Sequence, residues 1–141
     1  MLLRITPLWI DDDDGATLVR VSLSGNGRAA WSEVLCYPEQ FLAFAQALQD
    51  FPASITSEAT LKFGDRGGTY AHHLQLRAFV RDGVGHCAVE IIAETWGDPL
   101  ETSAFHFATA VEAASLNELG RQLASWVDAP MEEFVFGGVG E

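Results

Sequence analysis

Apolar and polar residues alternate with a period of two along much of this chain. Between residues 17 and 23, Val19, Val21 and Leu23 share one face of an extended chain and polar residues occupy the other, the pattern of a half-buried strand. Glycine- and asparagine-containing turns follow several such segments and indicate antiparallel hairpins. The same reasoning predicts further strands at 3–9, 28–36, 59–63, 70–80, 86–95, 101–109 and 134–136.

Two other segments have the spacing of amphipathic helices. Pro38 suits the first turn of a helix, and Phe41, Phe44 and Leu48 then fall on one stripe. In the second segment, Ser115 and Glu118 have the spacing of a capping box. The residues after it place four apolar side chains on one face, namely Leu116, Leu119, Leu123 and Trp126.

These elements predict an α+β fold. We expect one domain over residues 1–141, with a mainly antiparallel sheet of about six or seven strands and two helices packed on one face. The length of 141 residues and the 48% share of hydrophobic residues suit one core. Residues 137–141, rich in glycine, are expected to fray.

Composition and charge narrow the classes of partner. No apolar run is long enough for a membrane span or a signal peptide, so we expect a cytoplasmic protein without a membrane partner. The formal net charge is −12. Because such a charge repels phosphate backbones and attracts cations, it predicts no nucleic-acid partner and favours a basic protein such as a toxin domain.

The sequence contains no complete catalytic or metal-binding motif. The run Asp11–Asp14 lacks the ligand spacing of a calcium loop, and no G-x-S-x-G or phosphate-binding loop occurs. We therefore expect no metal, no cofactor and no catalytic residue. One alternative stays open, a small hydrolase or metal-dependent enzyme that uses His73, His86 and His106, if their strands are neighbours.

A polar surface on the predicted sheet is the candidate binding site. Mixed polar and apolar faces bind partners, although they are also ordinary outer faces of antiparallel sheets. The candidate partner-binding residues are Arg20, His73, Arg77, Phe79, Glu90, Ile92, Glu94 and His106.

Several segments of the sequence resemble those of small bacterial immunity proteins of the WapI-like family. They are a tryptophan-bearing strand leading into a helix (31–48), Gly85-His86 opening a strand, and Phe105-His106-Phe107 before a closing helix. The resemblance implies a non-enzymatic binding protein that blocks a toxin and carries no catalytic residues. A homo-oligomeric protein of unknown role is a further alternative.

Overall fold

The computed structural model describes residues 1–64 and 72–137, and strands dominate them. After the third strand, the Gln40 side chain accepts a hydrogen bond from the Tyr37 N–H at 2.8 Å and so closes the turn that leads into the first helix. In chain order the elements are β1 (Leu2–Ile10), β2 (Thr17–Gly25), β3 (Arg28–Cys36), a 3₁₀ turn (Pro38–Phe41), α1 (Leu42–Gln49), β4 (Glu58–Gly64), β5 (His72–Val80), β6 (Cys87–Thr95), β7 (Ser103–Val111), α2 (Ala113–Val127) and β8 (Phe134–Gly137).

The strands form two antiparallel sheets of four strands each. The first sheet has the order β3-β2-β1-β8 and the second has the order β4-β5-β6-β7. The α+β class is confirmed, but the prediction of one sheet with six or seven strands is wrong. Alternation of apolar residues reports which side of a strand is buried and carries no information about which strands pair.

The two sheets have related topologies although the sequence shows no repeat. The second sheet is a four-stranded meander, β4 to β7, followed by α2, and the first sheet contains a three-stranded meander, β1 to β3, followed by α1. The fourth strand of the first sheet is β8, from the end of the described chain, which pairs with β1. Phe134 to Gly137 pair with Ile5 to Leu2 in antiparallel register, so the two ends of the described chain are held together.

The inner faces of both sheets and the apolar sides of both helices build one hydrophobic core. Its aromatic part centres on Phe41, whose ring lies 5.3 Å from that of Phe63 and 5.4 Å from that of Trp126. Trp126 also lies 6.3 Å from Phe134 of β8. The 3₁₀ turn, β4, α2 and β8 are therefore joined by contacts between aromatic rings.

The helices pack mainly on each other and contact β4 and β8, the outermost strands of the two sheets. The prediction that they cover one face of a sheet is therefore wrong. Their close approach depends on Gly120, where an added Cβ would lie 2.6 Å from the Ala45 carbonyl oxygen. Asn117 Nδ2 also donates to the carbonyl oxygens of Leu48 and Phe51 at 2.9 and 2.8 Å.

Local details at the ends of the elements differ from expectation. α2 begins at Ala113 with Glu112 as the N-cap, and no side chain caps it, so Ser115 lies within the helix and the predicted capping box is wrong. Of the tail expected to fray, Gly137 ends β8 and the rest lies outside the described residues. Neither of the described helices is long and apolar enough to cross a membrane.

Candidate functional site

Seven of the eight predicted partner-binding residues lie together on the outer face of the second sheet. The register places Arg77 opposite Glu90, and Ile92 opposite His106, across β5, β6 and β7. Alternation along each strand directs these residues away from the core. We call this surface the charged face, and it comprises His73, Arg77, Phe79, Glu90, Ile92, Glu94 and His106.

Charged side chains on this face are already paired with one another. Arg77 Nε donates to Glu90 Oε1 at 3.0 Å, and Arg77 Nη1 donates to Glu58. His106 Nε2 lies 3.0 Å from the other oxygen of Glu90. The Arg77 guanidinium also lies 4.2 Å from the ring centre of Phe79. These contacts connect all four strands and leave little of Arg77 for another molecule.

The ionisation of Glu90 follows from these contacts. Burial by itself raises the pKa of the Glu90 carboxyl, but hydrogen bonds from Arg77 and His106, together with their charges, outweigh burial and lower the pKa. The same pairing, with Glu90 first and Glu58 second, raises the pKa of Arg77. Glu90 and Arg77 are therefore both held in their charged forms at neutral pH.

Two members of the charged face are not accessible. His73 is fully buried, and neither of its ring nitrogens has a hydrogen-bond partner within residues 1–64 and 72–137. Ile92 is 7% exposed. A partner at this face would therefore contact only part of the predicted set, and burial of such positions could not be known before the surroundings of the strands were known.

Arg20, the eighth predicted residue, lies elsewhere. It is on β2 of the first sheet, where its Nη2 donates to Glu33 Oε2 at 2.8 Å. Its guanidinium lies 4.9 Å from the ring centre of Trp31. Placing Arg20 with the other seven is wrong, because the sequence did not reveal that the strands divide into two sheets.

The outer face of the first sheet carries large exposed apolar side chains. Trp9 is 54% exposed, Trp31 is 52% exposed and Leu35 is 57% exposed. The register β1-β2-β3 places the three on one side of the sheet, with Leu18 between Trp9 and Leu35. We call this surface the aromatic face, and it comprises Arg4, Trp9, Arg20, Trp31, Glu33 and Leu35.

Sequence reasoning overlooked the aromatic face, although one signal was available. Along β3 the residues Trp31, Glu33 and Leu35 alternate with Ser32, Val34 and Cys36. The side with the larger apolar residues looks like the buried side, but the structure buries the smaller ones. Only close packing of β3 against the second sheet explains that choice, because small residues let the two sheets approach.

The charge near the aromatic face differs from that of the whole chain. Arg4 and Arg20 outnumber Glu33, and Arg4 forms no ion pair with any residue within 1–64 or 72–137. The four aspartates lie beyond the end of β1, where Asp11 and Asp14 accept hydrogen bonds from backbone N–H groups of their own turn. These two carboxylates help to close that turn, and Asp14 also accepts from the Tyr37 hydroxyl at 3.1 Å.

An open cleft adjoins the aromatic face. Its volume is about 530 Å³, within the range of small-ligand sites. It lies where β3 approaches the ends of β5, β6 and β7. The cleft is lined by Trp31, Glu33, His72, Thr95, Leu100, Glu101, Thr102, Ser103 and Phe105.

The histidines do not assemble into a catalytic or metal site. His73 and His106 are on one face but on strands separated by β6, and His86 lies in the β5-β6 turn, where its Nδ1 is 2.7 Å from Asp82 Oδ2. Among the residues that the structure describes, no group of three or more His, Cys, Asp or Glu side chains suits a metal ion. The geometry does not support an enzyme that uses all three histidines.

Comparison with known proteins gives matches in structure alone. No protein-family model matches the sequence, and no curated protein does. The structure of the plant transcriptional regulator PBF-2 matches with a TM-score of 0.50 at 7% sequence identity, over 89% of this chain and 72% of that chain. WHY3 from Arabidopsis thaliana matches with a TM-score of 0.46 at 8% identity, over 89% of this chain and 78% of that chain.

The likeness to PBF-2 overturns two predictions. The order of strands and helices was taken to indicate an immunity-type protein that binds a basic toxin, yet a plant transcriptional regulator has this fold, so the predicted function is wrong. The same likeness overturns the exclusion of nucleic acid on the basis of net charge, because a protein with a similar fold is a transcriptional regulator. The WapI-like resemblance itself stays a prediction.

Proposed function

We propose that this protein binds single-stranded nucleic acid on the aromatic face. The observation that carries the proposal is the pair of half-exposed tryptophans, Trp9 and Trp31, on one side of a sheet that also presents Arg4 and Arg20. Nucleobases stack on exposed aromatic rings and on guanidinium planes. The strand spacing separates the two indoles by roughly 10 Å across the sheet and roughly 13 Å along it.

A single strand fits this surface better than a duplex. Duplex binding depends on many lysine and arginine contacts to phosphates, and this chain has only 8 Lys and Arg residues against 20 Asp and Glu residues. A single strand exposes its bases and can bind largely by stacking. Two arginines among apolar side chains can contact a few phosphates that lie between stacked bases.

The net charge of −12 then determines how binding responds to salt. At low ionic strength the acidic chain repels the phosphates, and added salt screens that repulsion. Release of counterions near Arg4 and Arg20 acts in the opposite direction. We therefore expect an affinity that changes by less than about tenfold between 50 and 200 mM salt, whereas a protein with 6–10 phosphate contacts loses about 10³- to 10⁵-fold.

The similarity in fold to a transcriptional regulator also supports the proposal. PBF-2, a plant transcriptional regulator, has a similar fold over 89% of this chain. That likeness concerns the backbone, so the case for this chain rests on its own side chains at the aromatic face.

Fluorescence anisotropy of labelled 12-nucleotide DNA and RNA tests the proposal. Trp31→Ala should weaken binding of a mixed-sequence single strand about 5- to 150-fold, the value of one stacked base. Ile55→Ala is the matched control, because Ile55 is 66% exposed and lies outside the aromatic face. Arg4→Gln should weaken binding, and Arg81→Gln, the same change of charge in the β5-β6 turn, should not.

Two results would contradict the proposal. One is the absence of binding to any single strand at protein concentrations up to about 100 μM, where Kd values near 10⁻⁴ M are still measurable. The other is binding that Trp31→Ala and Ile55→Ala alter equally, because the aromatic face would then not be the contact surface.

A further inference from the structure

Side chains from both sheets line the cleft beside the aromatic face. Trp31 and Glu33 come from β3, His72 from β5, Thr95 from β6 and Phe105 from β7. Five side chains from four strands thus converge on one opening. Trp31 belongs both to the cleft and to the aromatic face, so a strand on that face passes the mouth of the cleft.

The loop that closes the cleft is held by Asp98. Its carboxylate accepts from the Leu100 N–H at 2.9 Å, and its carbonyl oxygen accepts from the Glu101 N–H and the Thr102 hydroxyl, each at 2.9 Å. These contacts form a closed turn. Glu101 is therefore carried on a backbone with a defined position beside the cleft.

The electrostatics of the cleft exclude phosphate and favour hydrogen-bond donors. Among the residues that the structure describes, its lining includes two carboxylates, Glu33 and Glu101, and no lysine or arginine. Burial, reinforced by the neighbouring His73, lowers the pKa of His72, so this imidazole is neutral at pH 7. A ligand with an N–H donor is attracted by the carboxylates, whereas one that presents only acceptors or negative charge is repelled.

The aromatic walls restrict the ligand further. Trp31 and Phe105 offer flat apolar surfaces, which suit a planar ring. Arg20 lies over the Trp31 ring but does not line the cleft, and Glu33 uses only its Oε2 atom for Arg20. Its other oxygen is not occupied by that ion pair.

From these observations we infer that the cleft binds one nucleobase that carries an exocyclic amino group. The inference rests on the proposed function, because the base comes from a strand that lies on the aromatic face. The ring stacks against Trp31 while its amino group donates to a carboxylate of Glu33 or Glu101. Cytosine and uracil are the sharpest pair for a test, because cytosine presents an amino donor where uracil presents a carbonyl acceptor.

The test compares oligo-dC and oligo-dU of 12 nucleotides by anisotropy, with free cytidine and uridine measured by NMR chemical shifts. Oligo-dC should bind about tenfold more tightly than oligo-dU, within the range for one base-specific contact. Glu101→Gln or Glu33→Gln, whichever removes the carboxylate that accepts from the amino group, should reduce this preference to less than threefold, since an amide both donates and accepts. Glu112→Gln is the control, because Glu112 follows the end of β7 far from Ser103.

The outcomes separate the two proposals. Equal binding of both oligonucleotides, or a preference for oligo-dC that survives in Glu101→Gln and Glu33→Gln, would overturn the cleft inference and leave the proposed function standing. If neither oligonucleotide binds, but cytidine shifts the resonances of cleft residues and uridine does not, the cleft recognises free nucleosides and the proposed function fails. If nothing binds, both proposals fail. Circular dichroism checks that each variant is folded.

Discussion

The outer faces of the two sheets carry similar residue types, but these residues make different contacts. On the charged face, Arg77 is bound by Glu90 and Glu58 and lies on Phe79. On the aromatic face, Arg20 is bound by Glu33 and lies on Trp31, but about half of the indole remains exposed. The first arrangement completes its contacts within the chain, and the second leaves apolar surface for another molecule.

This difference indicates which exposed residues of a sheet are the better candidates for a binding site. Polar residues on a strand attract attention in a sequence, yet paired charges at a half-buried face stabilise the fold as readily as they bind a partner. A large apolar side chain that remains exposed in the folded chain is the more informative observation. The comparison predicts that changes on the charged face affect stability and that changes on the aromatic face affect binding.

The largest effect is expected where the two sheets share their core. Leu119 on α2 is 1% exposed, and Leu119→Ala should lower the free energy of unfolding by about 2–5 kcal/mol. Urea unfolding followed by circular dichroism and by tryptophan fluorescence should give one coincident transition. An unchanged midpoint, or separate transitions for the two probes, would show that the two sheets do not depend on one core.

A smaller effect is expected on the charged face. Glu90→Gln keeps the shape of the side chain and removes the charge that Arg77 and His106 share, and it should cost about 1–3 kcal/mol at pH 7. Glu39→Gln, at an exposed position of the 3₁₀ turn, should stay within about 0.5 kcal/mol. Urea midpoints of both variants give the comparison.

The stabilisation that Glu90 provides should depend on pH. Since the pKa of Glu90 is lowered in the folded chain from its ordinary value of 4.5, its carboxylate stabilises the fold fully at pH values above 4.5. That contribution is lost as the pH falls below 4.5 through the folded-state pKa. The difference between wild type and Glu90→Gln should therefore shrink from pH 6 to pH 3, and a constant difference would contradict the role given to the network.

On the aromatic face the effect on stability should be small. Trp31→Ala removes a contact with Arg20 that is worth about 0.5–1 kcal/mol at an exposed site, so the loss in unfolding free energy should stay near that value. Binding of a single strand should fall 5- to 150-fold in the same variant. A loss of stability above about 2 kcal/mol would place Trp31 with the structural residues and remove the contrast between the faces.

The smallest effect concerns metal ions. A chelator should leave the melting temperature of the purified protein unchanged, because neither face gathers three metal ligands among the residues described by the structure. Elemental analysis of protein purified without added metal is the companion measurement. Stoichiometric zinc together with a lower melting temperature after chelation would contradict this prediction and favour a metal site at the histidines.

Particular residues show how far the sequence could be interpreted. The alternation of Phe105, His106 and Phe107 places the two phenylalanines on one side of β7 and His106 on the other, and the structure packs the phenylalanine side against the core. The register was open before the structure was known, but seven predicted residues do share one face, because alternation decides the side of each strand. Nothing in the sequence showed that Arg77 would be occupied by Glu58 from β4.

The sequence by itself determined the elements, the buried side of most strands and the acidic character of the chain. These properties depend on neighbours along the chain, where the spacing of two or 3.6 residues decides which side chains share a face. Tertiary structure alone decided that the strands form two sheets, that β8 returns to pair with β1 and that small residues of β3 are buried while Trp31 is exposed. Those outcomes depend on close packing and pairing between segments distant in the sequence, which local periodicity does not encode.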